Sequence, residues 1–219
     1  MSKFTIEGFA QECKQAMAAA TARGEDCQAA ASRQLAEVLT EGSPEEMVEV
    51  LEAAIPAGAD IGEMIVHQSE ELTMLYGRLP ARFQTGIHNH TVFACICQLT
   101  GGERNVFYAR DPEAGLRVSG ETLTKPGQVL DLGVDVIHHV ENAAEAASSA
   151  LHIYGGDFRA VMDRRSLWSS LGYQEMDFSF PDLMRESAIA MKRDGNTAGL
   201  EAMVTAIPAM RELVDALSR

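Results

Sequence analysis

A chain of 219 residues with a formal net charge of −14 is long enough for one barrel-sized domain with helical additions and need not divide in two. The acidic balance argues against nonspecific nucleic-acid binding, because phosphate contact needs a basic face, and no apolar run reaches membrane-spanning length. The opening Met1-Ser2-Lys3-Phe4-Thr5-Ile6-Glu7 lacks a signal peptide's apolar core, and the four cysteines (Cys13, Cys27, Cys95, Cys97) show no paired zinc spacing, so reduced thiols in a cytoplasmic protein are the expectation. Residues 4–55 are rich in Ala, Glu and Leu, and the spacing of Phe9 and Met17, and of Leu35, Val38 and Leu39, predicts helices. Cys13 and Cys27 read as small apolar residues within them. A further helix opens at Ser43-Pro44-Glu45-Glu46, with Ser43 as N-cap, Pro44 at the first helical position and two glutamates complementing the dipole. Met47, Val50, Leu51 and Ala54 form its apolar stripe. This helical region, residues 1–58, is expected to pack outside a barrel.

From about residue 60 the pattern changes to short β-rich runs separated by turns, which suggests an antiparallel barrel or sandwich over 59–165. Met64–Gln68 and Leu72–Leu79 read as strands, with His67 exposed or at an edge. Pro80 ends the second run. Further strands are predicted around His88, at Asn105–Arg110 after the Gly101-Gly102 turn, at Leu116–Val118, at Val129–Leu132, at Val136–His138 and at Ala150–Tyr154. The C-terminal region 166–219 is expected to be helical again, with helices returning after Asp182 and a break at Asp194-Gly195-Asn196; in the last of them Leu200, Met203, Ile207, Met210, Leu213 and Leu217 give a stripe broken near Pro208.

The chemistry concentrates at Gly86-Ile87-His88-Asn89-His90-Thr91-Val92-Phe93-Ala94-Cys95. Residues i and i+2 of a strand share a face, so His88 and His90 project together and make two thirds of a facial metal site. A third ligand is available at Asp135-Val136-Ile137-His138-His139-Val140-Glu141-Asn142. The His-x-His pair after Gly86, the Pro126-Gly127 turn, and His138 followed at Asn142 match the two-part cupin pattern. The chain is therefore identified as resembling the cupins, which implies a mainly β fold: a single double-stranded β-helix (jelly-roll) barrel with flanking N- and C-terminal helices.

Ala94 and Cys95 stand where most cupins carry a metal-binding carboxylate. With His88-Asn89-His90-Thr91-Val92-Phe93, His138-His139-Val140-Glu141-Asn142 and Leu151-His152-Ile153-Tyr154-Gly155-Gly156, this absence resembles the thiol dioxygenases, the branch of cysteine dioxygenase and 3-mercaptopropionate dioxygenase. The resemblance covers roughly residues 60–165. It implies Fe(II) on His88, His90 and His138, with Mn, Ni or Zn as other divalent candidates, and a reaction that converts a small thiol, with O2, to its sulfinate. It implies Tyr154, oriented by His152, as the catalytic hydrogen-bonding group, with Ala150 where the family has a serine, and a possible Cys95–Tyr154 crosslink. It points to Arg165 or Arg164 for the substrate carboxylate, since a guanidinium fork suits that group best, with Arg82, six residues before His88, as competitor. The expected partners are a small-molecule thiol and O2. Other readings of the same residues are a three-His lyase or carbon–carbon dioxygenase, and a cupin that only binds a small ligand.

Overall fold

The structure, a computed structural model, describes residues 4–56 and 64–217. Three helices come first: α1 (Ile6–Ala22), α2 (Cys27–Glu41) and α3 (Pro44–Ala54). Each starts where a side-chain oxygen takes a free backbone N–H of the first turn: Thr5 from Gly8, Asp26 from Gln28 and Ser43 from Glu46. The expected boundary between residues 58 and 59 lies outside the described residues.

Eleven strands follow: β1 (Ile65–Gln68), β2 (Thr73–Leu79), β3 (Ile87–Asn89), β4 (Ala94–Thr100), β5 (Glu103–Asp111), β6 (Gly115–Thr124), β7 (Val129–Leu132), β8 (Ile137–Glu141), β9 (Ser148–Tyr154), β10 (Ser166–Trp168) and β11 (Glu175–Asp177). They form a five-stranded sheet ordered β1-β2-β9-β4-β7 and a six-stranded sheet ordered β11-β10-β3-β8-β5-β6. The pairings β5 with β6, β4 with β7, β3 with β8 and β2 with β9 are all antiparallel. They describe one long hairpin, its tip at Asp111–Gly115, rolled up so that alternate rungs fall in opposite sheets. That is the double-stranded β-helix, or jelly roll, that the cupin resemblance implies. The expected fold class holds, with one matter of proportion and one boundary to correct. Helices hold 39% of the described residues and strands 30%, so "mainly β" describes the central barrel rather than the chain. The barrel also does not stop at 165, because β10 pairs with β3, and β11 with β10, before the helices resume. Three-residue strands carry too little alternation to register in the sequence.

Strand alternation divides the apolar residues in two. On the outer face of the five-stranded sheet Met74, Tyr76, Cys95, Cys97, Leu151 and Ile153 pack under α1–α3 with Phe9, Cys13, Leu35 and Leu51. On its inner face Leu75, Ala94, Ile96, Ala150 and Tyr154 enclose the barrel interior with Leu132, Phe158 and Val161. The C-terminal helices α4 (Phe180–Arg193), α5 (Thr197–Ala206) and α6 (Arg211–Leu217) build a third apolar cluster around Phe83, Met191 and Met203. Helix α4 lies close over the start of β3: a Cβ on Gly86 would sit 3.0 Å from the Glu186 Cβ, and the Gly86 N–H donates to Ser187 Oγ at 2.8 Å. A larger residue would press α4 outward, so glycine suits this approach, which anchors the strand just ahead of His88. No described helix is long and apolar enough to cross a membrane.

Candidate metal centre

His88 and His138 are direct partners in the β3–β8 ladder, so their side chains leave the sheet on the same, inner face. His90 follows one residue beyond β3 and returns to that face. The three rings form a near-equilateral triangle with centroid separations of 4.7, 5.0 and 5.1 Å. One ring nitrogen from each lies within 4.8 Å of the others, a group that could hold a metal ion. His88 Nδ1 is 3.0 Å from the Gly86 carbonyl oxygen, which can only accept, so that ring is the Nδ1–H tautomer and Nε2 keeps its lone pair. His138 Nδ1 is 3.0 Å from Asn105 Oδ1, which fixes the same tautomer. Its Nε2 then faces His90 Nε2 at 3.4 Å. Burial holds His88 down to about 3, with the Arg165 charge adding to the effect. Burial, together with the neighbouring imidazoles, keeps His90 and His138 well below the usual histidine range. All three are therefore neutral bases at pH 7, the form that ligates metal.

Tyr154 and His152 share the inner face of β9, with Tyr154 OH 3.1 Å from His152 Nδ1. The His152 ring reaches across toward Gly77, where a Cβ would come within 2.9 Å of Nε2. Burial lowers His152 to about 4 and raises Tyr154 to about 12, so the pair consists of a neutral imidazole and an intact phenol. The Tyr154 ring meets His90 edge-on at 5.2 Å and stacks on Phe158 at 4.0 Å.

Of the three candidate arginines, the structure brings one to the histidines. Arg165 is 4% exposed, and its guanidinium lies between Phe158 (4.4 Å) and Phe178 (3.6 Å). Nε donates to the Asn89 carbonyl at 3.0 Å and Nη1 to Met162 Sδ at 3.3 Å. Burial lowers it to about 10, so it remains a cation at neutral pH. With Nε and Nη1 held by the protein, Nη2 is the nitrogen left, among the described residues, to meet a ligand. Arg164 is exposed in a 3₁₀ turn. Arg82 is tied to Glu145 and the Ala143 carbonyl near the chain's outer surface. Neither belongs to the site.

The Cys95–Tyr154 crosslink is contradicted. Tyr154 pairs with Ala94, whereas Cys95 pairs with Ile153, so the two side chains leave the sheet on opposite faces. Cys95 packs beneath α2, where burial raises its thiol, and Sγ lies 3.6 Å from the Gln28 carbonyl. His67 lies on the edge strand β1 with Nδ1 3.3 Å from Glu7 Oε1, away from the other interior histidines. Sequence reasoning missed Asn105, Phe158 and Phe178. Asn105 lies in a correctly expected strand, but its pairing with β8 has no local signal. A recess of about 200 Å³ lined by Asn89, Thr91, Arg110, Val134, Asp135 and Ile137 opens on the outward side of β3, behind the histidines.

No family model matches the chain, and no curated protein matches it. Solved structures with partial similarity include an uncharacterized protein with a double-stranded β-helix domain from Klebsiella pneumoniae (10% identity, 49% of this chain and 87% of that one, TM-score 0.37). Others are the cupin domain of Schizosaccharomyces pombe Cnp3 (10%, 43% and 59%, TM-score 0.35) and hydroquinone 1,2-dioxygenase from Sphingomonas sp. TTNP3 (15%, 42% and 64%, TM-score 0.35). Overlaps of this extent say nothing about residues or activity.

Proposed function

We propose that the chain is a metal-dependent dioxygenase, with Fe(II) as its ion, that converts a small carboxylated thiol and O2 to the sulfinate. The observation that carries the reading is the inward convergence of three neutral imidazoles whose facing nitrogens lack a shared partner, beside one buried guanidinium. The donor set fits a divalent ion: two Nε2 lone pairs are fixed by hydrogen bonds on the far side of their rings, and the third ring closes the triangle. When bound, the ion supplies Lewis acidity that lowers a thiol's pKa and brings thiol and O2 together.

The chain's own residues do the rest. Arg165 holds the substrate carboxylate through Nη2, at a fixed distance from the histidines. The Tyr154 phenol, oriented by His152, offers a hydrogen bond where charge develops on oxygen. Phe158, Phe178, Ile96 and Leu132 keep water out. Among the described residues no carboxylate bonds to His88, His90, His138 or Arg165, which disfavours a substrate that must bury an ammonium group there. Both oxygen atoms end on sulfur and the thiol supplies all four electrons, so no external reductant enters.

The test is O2 uptake by the iron-loaded protein against a panel of small thiols. The expected result is one O2 consumed per carboxylated thiol, with both atoms of labelled O2 in the sulfinate. Metal binding without sulfur oxidation by any thiol overturns the reading in favour of another three-His chemistry.

A further inference from the structure

The three histidines are not held alike. His88 and His138 each have a hydrogen-bond acceptor on Nδ1, at Gly86 and Asn105 respectively. Among the described residues His90 has none, and the aromatic rings around its own are the other two imidazoles, Tyr154 and Phe158. His90 also lies past the last ladder residue of β3, Asn89, so no strand pairing fixes its backbone. The chain is clamped just before it: the Asn89 carbonyl accepts from Arg165 Nε and Asn89 Oδ1 from the Ser166 N–H. Just after it stands Thr91 with φ of +59°. That left-handed conformation is a genuine outlier for a β-branched residue, whose Cβ crowds the backbone. Glycine or asparagine would adopt it at lower cost. The Thr91 hydroxyl donates to the carbonyl of His90 at 2.7 Å, a bond of ordinary length to the residue that needs holding. Strain of this kind persists only where the surroundings enforce it, and it gathers at functional sites.

We propose that Thr91 is a positioning residue: its left-handed backbone and its hydroxyl bond to the His90 carbonyl aim the His90 imidazole into the three-histidine array, doing for His90 what Gly86 and Asn105 do for its partners. The inference rests on the reading of the array as a metal site and adds a residue to it. It predicts a dissociation between folding and ligation. Glycine at this position relieves the strain but lets the turn sample both hands, so the fold is kept and the third ligand is loosened. Asparagine tolerates the left-handed region and keeps the turn in place.

The experiment is a Co(II) titration of the metal-free protein, followed by the ligand-field spectrum, with thermal unfolding measured in parallel on wild type, Thr91→Gly and Thr91→Asn. The expected result is an unchanged or raised Tm for metal-free Thr91→Gly with Co(II) affinity lowered about tenfold, the low end for losing an orienting partner, and an altered spectrum. Thr91→Asn should return both affinity and spectrum toward wild type. If Thr91→Gly binds Co(II) with wild-type affinity and spectrum, the positioning role is overturned and the metal reading stands. If both variants lose Tm and affinity together, Thr91 serves the fold alone and the proposal also fails. If wild type binds no Co(II), or His138→Ala binds it equally well, the metal reading itself falls.

Discussion

His138 and His139 are neighbours on β8, 1% and 5% exposed, yet they belong to different regions of the molecule. His139 faces outward, and both its nitrogens are taken: Nδ1 lies 2.9 Å from Tyr108 OH and Nε2 2.8 Å from Glu141 Oε1, with Glu141 in turn held by Arg104. His138 faces the interior, has one nitrogen on Asn105 and turns the other toward His90 Nε2 at 3.4 Å. Burial is the same on both faces. What differs is completion: the outer network satisfies itself, whereas in the inner one, among the described residues, His88 Nε2 and His90 Nδ1 have no hydrogen-bond partner. An unfinished buried network, rather than a buried histidine, marks the candidate site.

The sharpest way to break this comparison is to delete each side of it. His88→Ala, His90→Ala and His138→Ala should each lower metal affinity by orders of magnitude, since two imidazoles remain, as read by metal content after dialysis. His139→Ala should keep its metal and lose about 1–3 kcal/mol of stability in denaturant unfolding, from the buried Tyr108 phenol left without a partner while Glu141 keeps only Arg104. The reverse pattern would mean that the faces have been exchanged.

The next largest effect concerns the interior cation. Arg165→Ala should reduce kcat/KM for a carboxylated thiol by about 1–3 kcal/mol and leave an uncharged alkylthiol nearly unaffected. Arg165→Lys should not rescue it, because an ammonium has no flat faces for the slot between Phe158 and Phe178. Arg164→Ala should be silent in the same assay.

The sequence carried the inner face of this comparison better than the outer. His-x-His and the distant His138 were legible because ligation needs particular residue types at a period of two, and Tyr154 and His152 by the same parity. Alternation within β4 and β9 also decides against the Cys95 crosslink: Ala94, not Cys95, is the partner of Tyr154, and Cys95 leaves the sheet on the helix-covered side. There the family resemblance pointed one way and strand alternation the other, and alternation gives the true position. Arg165 could not be told from Arg164 in the sequence, since the choice depends on a 3₁₀ turn and on aromatic partners from two separate segments. The Tyr108–His139–Glu141–Arg104 network had no signal at all, being assembled across the β5–β8 ladder.

Acid should separate the two faces more gently. His88, lowered to about 3, and His152, lowered to about 4, are neutral when folded but bind protons below about 6.5 once unfolded. The unfolded chain then holds more protons, so stability of the metal-free protein should fall as pH drops from about 6.5 toward 4. Unfolding midpoints measured across that window should show a shallower slope in His88→Ala. The smallest effect is expected from Ala150→Ser, on the inner face of β9 two residues before His152. A hydroxyl offered to that imidazole would make the inner network more like the finished outer one, worth about 0.5–1.5 kcal/mol in thermal unfolding.

The rolled hairpin sets an order of assembly. Loop-closure entropy favours the β5–β6 tip first, then β4 with β7, then β3 with β8, and last β2 with β9, whose partners are furthest apart along the chain. His88 and His138 face each other on the third of these four rungs. A chain that has closed only its first two rungs has no three-histidine array to offer, so under the proposed function an ion would gain nothing from early states and would act as a late clasp on a nearly finished barrel. A bound ion would therefore slow the chain's opening far more than it speeds its closing, so the proposed metal would show itself in the lifetime of the native state rather than in the speed of reaching it.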